Sequence, residues 1–349
     1  VTLFTPGKIT TKVKNLNADL SYFENELKLR GDSYISLLRK HPFTFITLSR
    51  QVQNELIAKA MRMANDNELD ILHVYTNEEE TALPFSALCS KPVVFTHHDP
   101  FNFLVKYKNF YPKYSQNNWI SISLSQRAQM PPDTNWLANI PHGLPTNLYK
   151  PSYDTGSDYL VYLGRIISTK GVHLAIDAVQ LYNESHERKL TLKIAGKHYA
   201  DHKKDSYWKE KIEPELADRC IQYIGFVDSA ADKQELLAGA KALLVPSLFE
   251  EPFGMVAIEA LACGTPVIGL DSGALPETIE DGKNGYIAGK VYGKDGELDE
   301  HATARGISSQ ISKLDKINRK NCRLDFEERF TAARMADDHI KVYKSLAKV

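Results

Sequence analysis

Short apolar runs alternate with longer stretches of mixed polarity along almost the whole chain. In the first half the runs that read as strands are Val1–Thr5, Tyr34–Leu38, Phe43–Leu48, Leu69–Tyr75, Pro92–Thr96 and Trp119–Leu124. In the second half they are Tyr159–Leu163, Leu190–Ala195, Cys220–Ile224, Ala242–Pro246 and Pro266–Leu270. Many lack alternating polar positions, as parallel strands covered on both faces do. The stretches between them read as helices. From Val172 to Tyr182, apolar residues fall at Val172, Ala175, Ile176, Val179 and Tyr182, the spacing of one buried helical stripe. Such alternation predicts an open, doubly wound α/β sheet, and it occurs twice. The tail from Ala302 to Val349 reads as wholly helical, with Phe330, Ala333, Ile340 and Tyr343 facing inward.

Between the two series, Pro141-His-Gly-Leu-Pro145 and Lys150-Pro-Ser-Tyr-Asp-Thr-Gly-Ser157 gather Pro, Gly and Ser without apolar periodicity, which reads as an interdomain hinge. The expected division is an N-terminal Rossmann-like domain over 1–148 and a C-terminal one over 149–330. A last helix, at about 331–349, is expected to pack back on the first domain. Two such domains facing each other bring the C-terminal edges of both sheets to one cleft, where ligands bind in these folds.

Composition narrows the partners. The length of 349 residues fits two domains, and 43% hydrophobic with 25% charged residues excludes disorder, collagen and a coiled-coil rod. Basic residues number 43 and acidic ones 44, a net charge of −1, which gives no electrostatic reason to expect nucleic acid or an anionic membrane as main partner. No apolar run approaches the ~20 residues of a membrane span. Cys89, Cys220, Cys263 and Cys322 lie far apart without a C-x-x-C pair, so they read as reduced thiols of a cytoplasmic protein. The chain opens on Val1 without an initiator Met, which leaves an upstream targeting segment open.

Two segments carry candidate chemistry. In Val161-Tyr-Leu-Gly-Arg-Ile-Ile-Ser-Thr-Lys-Gly171 a strand ends, a glycine frees the turn, and Arg165 and Lys170 follow before a helix. Two cations at the C-terminal edge of a strand suit an anion, and Arg offers a fork matched to phosphate oxygens; two solvated loop charges are the plainer alternative. In Leu244-Val-Pro-Ser-Leu-Phe-Glu-Glu-Pro-Phe-Gly-Met-Val-Ala-Ile-Glu-Ala-Leu-Ala-Cys-Gly-Thr-Pro266 a strand leads into a loop bearing Glu250 and Glu251, and a helix starts near Gly254. The positive end of that helix is a ready phosphate site. Glu259 falls inside the same apolar helix, where an acid is either exposed or directed at a ligand.

Glu251 and Glu259 together resemble the E-x7-E signature of family 4 retaining glycosyltransferases of the GT-B fold. Gly164-Arg-Ile-Ile-Ser-Thr-Lys-Gly171 resembles that family's phosphate clamp, and Ser272-Gly-Ala-Leu-Pro-Glu-Thr-Ile279 with Asp281-Gly-Lys-Asn-Gly285 resembles the stretch that follows. The resemblance is dense from about Tyr159 to Ile287 and thinner before it. There Val93-Val-Phe-Thr-His-His-Asp99, Ile120-Ser-Ile-Ser123 and Pro141-His-Gly-Leu-Pro145 match in outline.

The resemblance implies transfer, with retention, of a sugar from a UDP- or GDP-sugar to a saccharide, lipid-linked or small-molecule acceptor. It makes 149–330 the nucleotide-sugar domain and 1–148 the acceptor side. Arg165 and Lys170 neutralise the diphosphate leaving group, beside Gly164. The backbone from Phe253 through Gly254 and Met255 to Val256 holds phosphate and sugar hydroxyls. Glu251 accepts from the donor sugar, Glu259 from the ribose, and the turn Gly225-Phe226-Val227 sits by the base. His98 aligns with the family histidine near the transferred sugar better than His97 does. Gly7, Lys8, His97, Asp99 and Gly143 fall on the acceptor side. Two positions depart from the pattern: Pro6-Gly-Lys-Ile-Thr-Thr-Lys-Val-Lys14 stands where a Gly-Gly loop is usual, and His142 stands where Asn is usual.

No D-x-D pair in strand–loop context and no His/Cys cluster is present, so the expectation is no metal and no cofactor beyond the sugar nucleotide, with protein cations replacing Mg²⁺. The segment Phe101–Tyr114 carries six aromatics and three Lys. It reads as packing on the first domain, with a sugar-stacking platform or a membrane-interfacial patch as alternatives. Two other functions remain open: a nucleotide-sugar epimerase of the same architecture, and a catalytically decayed sugar-nucleotide-binding subunit. The setting is expected to be cytoplasmic, with peripheral contact at the inner membrane face as the variant.

Overall fold

The computed structural model describes residues 1–75, 79–102, 104–154, 158–198 and 205–347; expectations that fall on Phe103, 155–157 and 348–349 lie outside the described residues. Contacts divide the chain into two units. The first holds 1–120, 130–138 and the chain from Lys341 on, and the second holds 121–129 and 139–340.

In the first unit, β1 (Thr2–Thr5) and β2 (Lys14–Asn17) form a parallel pair, followed by α1 (Ser21–Arg30), α2 (Tyr34–Lys40) and α3 (Pro42–Asn65). A second sheet runs β3 (Leu72–Val74), β4 (Val93–Thr96), β5 (Asn118–Ser121), β6 (Trp136–Asn139), with α4 (Val105–Phe110) between β4 and β5; α5 (Leu124–Arg127), which follows β5 in the chain, is counted with the second unit. The strands expected at Tyr34–Leu38 and Phe43–Leu48 are helices instead. The Ser33 hydroxyl caps α2 by accepting from the Ser36 N–H at 3.2 Å, and Pro42 opens α3. Leu37, Val52 and Leu56 then join Phe23 and Leu27 in one small core. A five-residue apolar run cannot separate strand from helix by periodicity; these caps decide it.

The Phe101–Tyr114 segment packs. Phe101, Tyr107 and Tyr111 are buried with Trp119 and Phe95 in the core of the first unit, and Phe110 and Tyr114 lie against it.

The second unit is a six-stranded parallel sheet in the order β12-β11-β10-β7-β8-β9, flanked by helices. Along the chain come β7 (Tyr159–Leu163), α6 (Val172–Ser185), β8 (Thr191–Ala195), β9 (Ile221–Gly225), α7 (Ala230–Ala238) and β10 (Ala242–Val245). Then follow α8 (Met255–Ala262), β11 (Val267–Leu270), α9 (Leu275–Thr278), β12 (Gly285–Ala288), α10 (Glu300–Ile311), α11 (Arg319–Arg329) and α12 (Ala332–Ala347). The five expected strands all form; β7, β10 and β11 bury apolar side chains on both faces, whereas β8 and β9 are buried in part. The chain winds from β7 to β8 and β9, then reverses to β10. The switch point therefore lies between β7 and β10.

The tail is not one continuous helical stretch. The Asn318 side chain starts α11 by accepting from the Lys320 N–H at 2.9 Å, and Thr331 interrupts before α12. On α12, Ala333 and Ile340 face outward, whereas His339 and Val342 are buried.

The expected hinge is also corrected. The stretch from Pro141 to Lys150 belongs to the second unit, bridged to Thr331 at Leu144. Buried Arg323 donates to the carbonyls of Tyr149 at 3.0 Å, Ala262 at 2.7 Å and Thr146 at 2.9 Å. Gly143 passes so close to Thr331 that a Cβ would stand 2.3 Å from its carbonyl oxygen. The division between units thus falls near residue 138 rather than at 148, with 121–129 assigned to the second unit, and α12 enters the first only at Lys341.

His142 lies in this packed stretch, its ring 5.0 Å from that of Phe253. Burial above all, then the charges of His339 and Arg334, lowers its pKa from 6.5 to about 4. The folded form therefore stays neutral while the unfolded chain takes up a proton. The resulting loss of stability sets in as pH falls below 6.5 and grows until about 4. His142→Asn should flatten that slope: its melting temperature should fall less than the parent's between pH 7 and pH 5. Parallel melting curves for the two proteins would refute this assignment.

Candidate functional site

The C-terminal ends of β7 and β10 flank the switch point, and the charged residues picked out from the sequence follow these strands. Gly164 and Arg165 leave β7. The Tyr162 hydroxyl donates to the Arg165 carbonyl at 2.7 Å and fixes that turn, while the Arg165 side chain stands exposed, with no hydrogen-bond partner among the described residues.

Three loops brace one another here. The Leu248 and Phe249 N–H groups both donate to the Thr169 carbonyl at 2.9 Å, tying the loop after β10 to the one after β7. Gly171 closes the first loop with φ +67°, and a Cβ on it would lie 2.0 Å from the Pro246 carbonyl oxygen. Only glycine fits that crossing. The third loop follows β11: the Ser272 hydroxyl donates to the Phe249 carbonyl at 2.8 Å, and the Ala274 N–H to the Glu251 carbonyl at 2.8 Å. Gly273 presses against the Glu251 backbone, where a Cβ would meet its oxygen at 2.3 Å.

The bracing brings Lys170 onto Glu251. The Lys170 ammonium donates to Glu251 Oε1 and lies 5.0 Å from the centre of the Phe249 ring. The two side chains are only 18% and 10% exposed, so the pair is largely desolvated. Just beyond, α8 begins at Gly254 (φ +91°), whose lack of a Cβ suits this left-handed cap. Phe253 is buried, Val256 half-buried and Met255 39% exposed, so the first turn of α8 offers its backbone donors beside the Lys170–Glu251 pair.

Glu259, one turn further into α8, is buried. Its Oε1 accepts from the Tyr149 hydroxyl at 3.1 Å and from Lys233 Nζ at 3.0 Å. Its Oε2 is buried and meets no hydrogen-bond donor among the described residues. Burial first, then the Glu259 charge, raises the Tyr149 pKa far above 10, so that phenol stays a donor. At the end of β9, Gly225 takes φ +82°, Phe226 is 50% exposed beneath the Lys197 ammonium at 3.9 Å, and Val227 packs against the core.

The first unit separates its two histidines. His97 is buried with its Nδ1 paired to Glu79 Oε1 and its ring among Phe101, Tyr107 and Tyr111. His98 is half-buried, 4.3 Å from the Tyr75 ring, and Asp99 is half-buried beside it. The Gly7 carbonyl accepts from Thr5 Oγ1 at 2.8 Å and Asn17 Nδ2 at 2.7 Å, while Lys8 is exposed. Gly143 belongs to the second unit, where its crossing with Thr331 explains it. No group of three His, Cys, Asp or Glu placed to hold a metal occurs among the described residues.

Sequence reasoning did not find Tyr149, Lys233 or Lys197. Nothing in their local pattern marks them, since Tyr149 and Lys233 lie 110 and 26 positions from the glutamate they hold.

The sheet order and the loops at its switch point define a GT-B glycosyltransferase fold with Rossmann-like domains, and the comparisons with known proteins agree. Sucrose-phosphate synthase from Thermosynechococcus elongatus superposes with a TM-score of 0.67 at 18% identity, covering 88% of this chain and 79% of that one. HepE of Anabaena, solved in complex with UDP, gives 0.66 at 21% identity, covering 87% and 90%. Residues 147–303 match the family model for glycosyl transferases group 1, a stretch that includes Arg165, Lys170, Glu251 and Glu259. Spore coat protein SA of Bacillus subtilis (strain 168) is 29% identical over 192 residues, 54% of this chain and 49% of the relative. The match thus spans about half that relative's length.

Proposed function

We propose that the protein transfers a sugar, with retention, from a nucleoside diphosphate sugar to a saccharide, lipid-linked or small-molecule acceptor. The observation that carries this reading is the Lys170–Glu251 pair at the switch-point edge, with Arg165 beside it and the α8 N-terminus behind it. A diphosphate supplies what these groups lack: anionic oxygens for two cations and for helix N–H donors. The match to group 1 glycosyl transferases and the UDP bound by HepE favour this reading, and UDP in particular.

In the proposed reaction the glycosidic bond to the diphosphate breaks while Arg165 and Lys170 offset the charge that grows on the leaving oxygens. Glu251, released from Lys170, accepts from the sugar hydroxyls and holds the ring for attack. The acceptor oxygen approaches from the face that the diphosphate leaves, and a departing phosphate oxygen takes its proton. His98 is assigned to the sugar on the acceptor side. A double displacement would need two carboxylates about 5–5.5 Å apart around the anomeric carbon. Glu251 is assigned to the sugar hydroxyls, and Glu259 is held by Lys233 and Tyr149, so neither is assigned that role.

A thermal-shift screen with UDP, GDP, ADP and their sugars tests the reading. Ligand at 100 times its Kd should add about 2.7 kcal/mol of stability, and no shift with any of them would refute it. Because two protein cations face the diphosphate, transfer is expected to persist in excess EDTA. An absolute requirement for Mg²⁺ or Mn²⁺ would overturn that part. We also assign the reaction to the cytoplasm; all four cysteines are unpaired, and among the described residues no helix is long and apolar enough to cross a membrane.

A further inference from the structure

The helix pair α2–α3 is apolar on two sides. The two helices, joined through His41 alone, send Leu37, Val52 and Leu56 into the small core with Phe23 and Leu27, and Phe45 and Leu48 pack against it. With one side so buried, the other should turn polar. It does not: Ile35 is 66% exposed and Phe43 86% exposed, and Leu38 and Ile46 are exposed as well. Ile35 and Leu38 lie three residues apart on α2, and Phe43 and Ile46 three apart on α3, so each pair shares one helix face. Single exposed apolar side chains are ordinary, whereas four gathered on one hairpin mark a surface that something covers.

The charge around these four residues is one-sided. Over 33–54 the chain carries Arg39, Lys40 and Arg50 and no acidic residue, although the whole chain balances to −1. All three cations are exposed. The acid just upstream, Asp32, is turned inward: its side chain is 3% exposed and accepts from Lys40 Nζ at 2.8 Å and from the Ser36 hydroxyl at 2.6 Å. An apolar strip edged by cations fits the boundary between acyl chains and anionic headgroups. It does not fit a second copy of the chain, because a two-fold contact would set these cations against their own copies. We propose that the outward face of α2 and α3 docks the protein on an anionic lipid bilayer. Ile35, Leu38, Phe43 and Ile46 enter the headgroup–acyl boundary there, and Arg39, Lys40 and Arg50 meet the lipid phosphates. The near-neutral net charge hides this local excess, and the surface lies apart from the aromatic segment 101–114, whose rings pack in the core of the first unit. The proposal stands independently of the sugar-transfer reading.

The test is flotation of the full chain with vesicles of phosphatidylcholine alone and of phosphatidylcholine and phosphatidylglycerol in equal parts. The parent should float with the mixed vesicles, far less with phosphatidylcholine alone, and high salt should release much of it. A cation near an anionic surface is worth about fivefold in affinity, so the double variant Arg39→Gln/Arg50→Gln should bind the mixed vesicles about 30-fold more weakly. Ile35→Ser/Phe43→Ser removes apolar surface from the boundary and should weaken binding about tenfold or more. All four side chains are exposed, so both variants should melt with the parent, and if one does not fold the other decides. A parent that stays with neither kind of vesicle overturns the proposal. Equal binding to both kinds overturns its anionic part, and folded variants that float like the parent overturn the assignment to this face. A parent that is dimeric in solution, becomes monomeric as Ile35→Ser/Phe43→Ser and ignores vesicles assigns the face to a second copy instead.

Discussion

Arg165→Ala and Lys170→Ala should each lower kcat by about 10²–10³, the usual cost of removing one preorganised contact to charge that develops in a transition state. Neither should change folding stability comparably. Arg165 is exposed and makes no side-chain hydrogen bond among the described residues, so its removal leaves no partner unmet. Lys170→Ala releases Glu251, only 10% exposed at its side chain, and should therefore also weaken the order of the loop after β10. Lys170→Ala is thus expected to be the more damaging of the two. Single-turnover rates on purified, folded variants measure the effect. Near-parental turnover in either variant would remove that residue from the leaving-group clamp.

How much of this was legible beforehand differs between the two units. In the second, β7, β10 and β11 announce themselves because they are buried on both faces, and α6 because its apolar stripe is long enough to have a period. The spacing of Glu251 and Glu259 marked the loop and helix that carry them. What sequence could not show is the partner of each group. The Lys170–Glu251 contact joins loops after different strands, and the Gly273 crossing that braces it depends on backbone proximity. In the first unit, Tyr34–Leu38 and Phe43–Leu48 were too short to carry a period, and the Ser33 cap and Pro42 outweighed their β-like composition. Strand β2 was missed because Lys14–Asn17 holds a single apolar residue, and β6 and β12 because Trp136–Asn139 and Gly285–Ala288 carry apolar runs of only three residues, too short to show a period. Pro and Gly in 141–150 suggested a hinge, yet Arg323 and the Gly143 crossing make the stretch part of a packed unit.

The two glutamates should separate in binding experiments. If Glu259 contacts the nucleotide moiety, as the resemblance implies, that contact is common to the free nucleotide and the intact donor, so Glu259→Gln should weaken both by similar factors of about tenfold or more, and the loss should appear mainly in KM. Glu251→Gln should leave diphosphate affinity equal to the parent's or slightly above it, because the Lys170 ammonium is freed from its carboxylate partner. Its turnover should nevertheless fall more than about tenfold, since the sugar ring is no longer held for attack. Isothermal titration with the diphosphate alone discriminates. If Glu251→Gln loses the diphosphate as badly as Glu259→Gln does, the donor lies differently at the switch-point edge.

Glycosyl transfer itself is tested most directly by quantifying free nucleoside diphosphate released from a sugar nucleotide, with and without a panel of saccharide and glycolipid acceptors. The account predicts release only with an acceptor, in step with a glycosylated product whose anomeric configuration matches the donor's. An altered sugar nucleotide without diphosphate release would reveal an epimerase. Tight binding with no release across the panel would reveal a sugar-nucleotide-binding subunit, and either result would contradict the assignment.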